Sequence, residues 1–152
     1  MGAVMFYHLT QRPLLDTLRM LVDKSLANGW RVSVRGTNRA GLEALDAALW
    51  HGPEASFLPH GVEGGAHDAL QPVLLGMQAG NVNGAQCVMA VHSAEVSPED
   101  AAAMERVCIL FDGYDDDQLA HARGQWKTLT AAGVSAQYWS EESGRWEKKA
   151  EA

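Results

Sequence analysis

The order of elements written into this chain restricts it to one fold class. Short β-prone runs alternate with segments of helical period, which is the mark of βα units building a mainly parallel sheet. Val4–Leu9 (VMFYHL) reads as a first strand. Pro13 then opens a helix with Leu14, Leu18, Leu21 and Val22 on one face, stopped by Asn28-Gly29. Arg31–Arg35 is a second strand, and Thr37 or Asn38 caps a helix through Trp50 that aligns Leu42, Leu45 and Leu49. A loop-rich middle is expected from His51 to Gln71, then strands at Pro72–Met77, Cys87–His92 and Arg106–Phe111, with a turn region at Gly80–Gly84. Ser97-Pro98-Glu99-Asp100 starts one helix, and Asp115-Asp116-Asp117 starts another that runs to about Ala132 and ends at Gly133. Gln137–Trp139 is the last expected strand, and residues 147–152 are expected to fray. With 152 residues, one domain over 1–146 suffices. The expected fold is α/β, a single-domain three-layer sandwich with a mainly parallel sheet.

Charge narrows the range of partners. The net charge of −7 disfavours broad contact with a nucleic-acid backbone, which requires a positive surface. Every Lys and Arg lies between Arg12 and Arg39 or between Arg106 and Lys149, so any basic patch is assembled from the two ends of the chain. Such a patch on an acidic protein suits a small acidic ligand better than a duplex. No apolar run reaches the roughly 20 residues a bilayer requires. Met1 to Leu9 lacks the features of a secretory signal, so a cytoplasmic location is expected. Cys87 and Cys108 each sit in an apolar run without C-x-x-C spacing; buried thiols are the simpler reading and a disulfide the other.

A sheet of this kind invites a search for phosphate loops. His8-Leu9-Thr10-Gln11-Arg12, after the first strand, offers no glycine, and no G-x-x-x-x-G-K-[ST] occurs. Gly61, Gly64 and Gly65 are not followed by a convincing helix start and read as a loop. The six histidines are scattered; His60 and His67 lie near each other without a third ligand at metal spacing. Asp112 and the run Asp115 to Asp117 suggest either Mg²⁺ or, more simply, an acidic helix N-terminus. Serines 33, 56 and 93 lack a nucleophile elbow. No catalytic residue, metal or cofactor is expected.

One constellation remains. On the helix ending near Ala132, the expected core stripe is Leu119, Ala122, Trp126 and Leu129. Arg123, Trp126 and Lys127 stand at i, i+3 and i+4 and share one edge. Two cations beside a large ring suit a peptide offering a carboxylate and an aromatic side chain. On spacing alone the simpler reading is a core Trp126 bordered by two cations.

The chain resembles the chi subunit family of bacterial DNA polymerase III. The resemblance begins at Phe6-Tyr7 and Gly29-Trp30-Arg31-Val32. It is most specific in Leu45-Asp46-Ala47-Ala48-Leu49-Trp50, followed by Pro53 and Ser56-Phe57-Leu58-Pro59-His60-Gly61. It resumes at Pro72-Val73, Leu119-Ala120, Arg123, Trp126-Lys127, Gly133 and Tyr138-Trp139. The resemblance implies a Rossmann-like fold without a nucleotide-binding loop, in a non-catalytic adaptor whose contact with DNA is indirect. It further implies pairing with the psi subunit of the clamp loader. It also implies binding to the acidic, phenylalanine-ended C-terminal tail of single-stranded DNA-binding protein, with Arg123, Trp126 and Lys127 as the tail-binding positions. Trp50, Phe57, Leu58 and Pro59 form an apolar group that reads either as a psi contact or as a cover over the core.

Two other functions make different demands. A flavodoxin-like ligand domain requires a polar pocket near Thr10, Gly36 and Gly113. Direct single-stranded DNA binding requires Arg145, Lys148 and Lys149 to be available beside stacking faces on Trp139 and Trp146.

Overall fold

In the computed structural model, the described residues are 3–11, 13–50, 61–64, 68–77, 83–141, 143 and 145–152, the side chain of Trp50 excepted. The chain runs β1 (Ala3–Leu9), α1 (Leu14–Ala27), β2 (Val32–Arg35), α2 (Arg39–Trp50), β3 (Gly61–Val62) and β4 (Val73–Gly76). It continues with β5 (Cys87–Ala90), α3 (Pro98–Ala103), β6 (Arg106–Asp112), α4 (Asp116–Ala131), β7 (Ala136–Ser140) and β8 (Glu147–Glu151). Among the described residues these strands form one eight-stranded sheet in the order β3-β4-β2-β5-β6-β1-β7-β8. Every neighbouring pair is parallel except β7 and β8. The expected three-layer α/β fold is the fold observed.

The apolar runs of the strands are continuous because both faces of the sheet are covered. Along β6, Cys108 and Leu110 point into the layer beneath α1 and α2, with Leu18, Val22, Leu42 and Leu49. Val107, Ile109 and Phe111 point the other way, with Ala101 of α3 and Ala122 and Leu129 of α4. That alternation follows from the two-residue period of a strand. Cys87 and Cys108 are free thiols buried on adjacent strands.

The helix ends follow the local chemistry of the sequence. The Asn38 side chain accepts from the Gly41 N–H at 2.6 Å, at the start of α2. Ser97 and Asp100 form a capping box at α3, each side chain accepting from the other's backbone N–H at 3.1 and 3.0 Å. Gly133 takes a φ of 84°, which lets Val134 N–H reach the Leu129 carbonyl at 3.0 Å and close α4.

Two segments differ from expectation. The loop-rich middle contains the two-residue strand β3, paired with Leu74 and Leu75 at the sheet edge. The tail expected to fray is β8, antiparallel to β7, and Ala152 exchanges backbone hydrogen bonds with Ala136 at 2.8 and 3.2 Å. EKKAE is a weak strand former, but β7 would otherwise leave a row of backbone donors and acceptors unpaired. Pairing demand outweighs propensity here.

Asp100 also ties α3 to the sheet. Its Oδ2 accepts from Arg35 Nη1 at 2.9 Å, and Arg35 is only 5% exposed. Burial alone would raise the Asp100 carboxyl, but the Ser97 N–H and the Arg35 guanidinium hold it below the usual carboxylate value. Because the folded value is the lower one, this stabilisation is complete above the ordinary carboxylate range. It is lost as pH falls through the depressed value. Asp100→Asn is expected to cost about 3 kcal/mol at neutral pH and to reduce the loss of stability on acidification, both read from urea unfolding. An unchanged urea midpoint would show that the pair contributes nothing.

Candidate functional site

The helix that carries Arg123, Trp126 and Lys127 begins at a side-chain cap. Asp115 Oδ1 accepts from the N–H groups of Asp117 and Gln118 at 3.0 and 3.1 Å, and Asp116 and Asp117 face the positive end of α4. The acidic run therefore has a structural role. Among the described residues no group of three His, Cys, Asp or Glu side chains is placed to hold a metal ion. His60 and His67 lie outside the described residues.

The buried face of α4 consists of Ala122, Gln125 and Leu129, whereas Trp126 and Leu119 are half-buried at its margins. Gln125 was not expected inside. Its side-chain oxygen accepts from the Val96 N–H at 2.6 Å and so satisfies the backbone just ahead of α3. Trp126 is both core and surface. One side of its ring meets the fully buried Phe6 edge-on at 5.3 Å, and another meets Tyr138 of β7 at 6.1 Å. Its remaining surface borders a groove of about 460 Å³, lined by Arg123, Trp126, Lys127, Tyr138 and Ala150. Arg123 and Lys127 are exposed and have no carboxylate partner among the described residues.

The structure thus brings the three expected site residues together and adds two more. Tyr138 is part of the floor, and its hydroxyl is 2.9 Å from His8 Nδ1, in a ring stacked on Phe111 at 5.2 Å. The two-residue period of β7 places Tyr138 on the same face as Ala136, a clue readable in the sequence. Ala150 is the far wall, opposite Tyr138 across the β7–β8 pair. No sequence signal marked it, because β8 itself was not expected. Trp50's side chain, Phe57, Leu58 and Pro59 lie outside the described residues.

The turn after β1, where a dinucleotide-binding sheet would receive phosphate, is already occupied. The N–H groups of Thr10 and Gln11 donate to Glu141 Oε1 at 3.0 and 2.9 Å, and Glu141 is 1% exposed. A crevice of about 400 Å³ lies beside this turn, at the C-terminal ends of β1 and β6, bordered by Thr10, His92, Asp112 and Tyr114. Gly36 borders a different depression, with Arg35 and Thr37, so the three positions required by a flavodoxin-like site are not brought together. The cations required for direct DNA binding share two carboxylates: Arg145 and Lys149 reach Glu147 at 3.5 and 3.2 Å, and Lys148 pairs with Glu151. Trp146 meets Tyr7 edge-on at 5.3 Å and packs against the core.

These features define a class: a three-layer α/β domain of the nucleotide-binding kind whose phosphate turn is filled from within and whose aromatic groove opens on the sheet's flank. Within that class, residues 1–137 match the family model described as DNA polymerase III chi subunit, HolC, and the chain belongs to this family. It is a DNA-replication protein of the kind that accompanies the polymerase complex. No curated protein matches the chain. The family match stops before Tyr138, Glu141 and β8, so the far wall of the groove lies outside it. No helix among the described residues is long and apolar enough to cross a membrane.

Glu141→Ala would leave two backbone donors without their acceptor and is expected to cost about 3 kcal/mol, measured by urea unfolding. Glu141→Gln keeps an acceptor oxygen and should cost less. Equal losses for both variants would mean that the amide contacts are not the source of the stabilisation.

Proposed function

We propose that this chain is a non-catalytic adaptor of the replicative polymerase. In this reading it binds the acidic, phenylalanine-ended C-terminal tail of single-stranded DNA-binding protein and joins the clamp loader through the psi subunit. The observation that carries the proposal is the groove itself: two cations, Arg123 and Lys127, without a carboxylate partner among the described residues, beside an apolar floor of Trp126 and Tyr138. A terminal carboxylate and neighbouring aspartates pair with the cations through charge-assisted hydrogen bonds, Arg123 with a planar fork and Lys127 with a mobile point charge. A phenylalanine ring gains from burial against two aromatic side chains already braced by Phe6 and His8. The rigid floor limits the ordering cost of binding.

Titration with a short acidic peptide ending in Asp-Phe tests this reading. The free-carboxylate peptide should bind, and its amidated copy should bind much more weakly. Arg123→Ala and Lys127→Ala should each weaken binding about tenfold, the scale of one lost charge-assisted hydrogen bond. Affinity should also fall with salt. A folded wild-type protein that ignores the peptide, or variants that bind it unchanged, would refute the assignment.

For psi, the proposed contact is Trp50, Phe57, Leu58 and Pro59. Phe57→Ala with Leu58→Ala should lower psi capture while tail-peptide affinity stays as in the wild type. Loss of both activities would point to damage of the fold, and loss of neither would place the psi surface elsewhere.

A further inference from the structure

The tail groove does not end at Arg123. A second depression, of about 470 Å³, shares that residue and is lined by Leu119 and Tyr114 together with His8, Thr10, Gln11 and Arg123. Arg123 borders both spaces and so connects them. Tyr114 is 77% exposed, an unusual state for a large aromatic side chain, and Leu119 is half-buried at the same margin. The charges change sign along the path. Arg123 and Lys127 are followed, toward the start of α4, by Asp115, Asp116, Asp117 and the nearby Asp112.

We infer that a tail bound in the groove continues past Arg123 toward the N-terminus of α4, placing an uncharged, apolar stretch over Leu119 and Tyr114. This inference rests on the tail-binding reading above and adds a second specificity determinant to it. The sign change fixes the chemistry of the occupant. Aspartates belong beside Arg123 and Lys127, whereas further aspartates upstream would meet the carboxylates at the helix start. The length also fits. Eight positions separate Leu119 from Lys127, a rise of about 12 Å along a helix. An extended peptide covers that distance in about four residues. The residues that reach Leu119 are thus about four before the terminal phenylalanine, and those that reach Tyr114 lie further upstream.

The test uses the full chain and three free-carboxylate peptides: Asp-Asp-Asp-Phe, the same peptide extended upstream by four neutral apolar residues, and one extended by four aspartates. The neutral extension should tighten binding about fivefold over the short peptide, and the aspartate extension should give no such gain. Tyr114→Ala removes an exposed side chain, and it should erase the gain while leaving the short peptide's Kd unchanged. A neutral extension without effect, an aspartate extension that binds tighter, or a gain that survives Tyr114→Ala would each overturn the inference. The underlying reading is judged separately by the short peptide. If it binds and Lys127→Ala weakens it, tail binding stands whatever the extensions do; if it does not bind, both ideas fall.

Discussion

The structure depends on the placement of β1 inside the sheet, between β6 and β7. Its residues pair with β6 over the whole of Ala3–Leu9 and with β7 from Val4 to His8, so both rows of its backbone groups are satisfied within the protein. That double pairing fixes Phe6, fully buried, under Trp126, and fixes His8 under Tyr138. A flank groove on a small domain requires a floor that does not yield when a ring is pressed on it. Here the floor rests on a strand paired along both of its sides.

Much of the fold was legible in the sequence, because its rules are local. The alternation of strand runs with helix-period segments, the Ser97–Asp100 cap and the Gly133 stop all act within a few residues. β8 was not legible, since nothing in Glu147–Glu151 prefers a strand; its conformation comes from the unpaired side of β7, which only the assembled sheet reveals. The same distinction separates the two halves of the groove. Arg123, Trp126 and Lys127 are readable as helix neighbours, whereas Tyr138 and Ala150 join them only through sheet order and register. Gln125 misled for a related reason: a polar residue enters the core when a backbone N–H, here that of Val96, needs its oxygen.

Trp126 shows how two readings of one residue need not compete. Spacing alone assigned it to the core stripe, and the family resemblance assigned it to a binding site. The ring both packs on Phe6 and borders the groove, because a tryptophan is large enough to be anchored along one edge and presented along another. Its anchorage removes the rotational freedom that an exposed aromatic side chain would otherwise lose on binding.

Glu141 has a consequence for how this architecture can be reused. Its carboxylate acts as a tethered competitor for the turn after β1, held there by the chain rather than by a concentration in solution. A tether of this kind corresponds to an effective concentration on the order of millimolar or above, and its occupant loses no translational freedom on arrival. A free phosphate would have to expel a buried carboxylate to reach the same two N–H groups. The domain therefore keeps the shape of a nucleotide-binding fold while the two N–H groups of this turn are committed to its own chain.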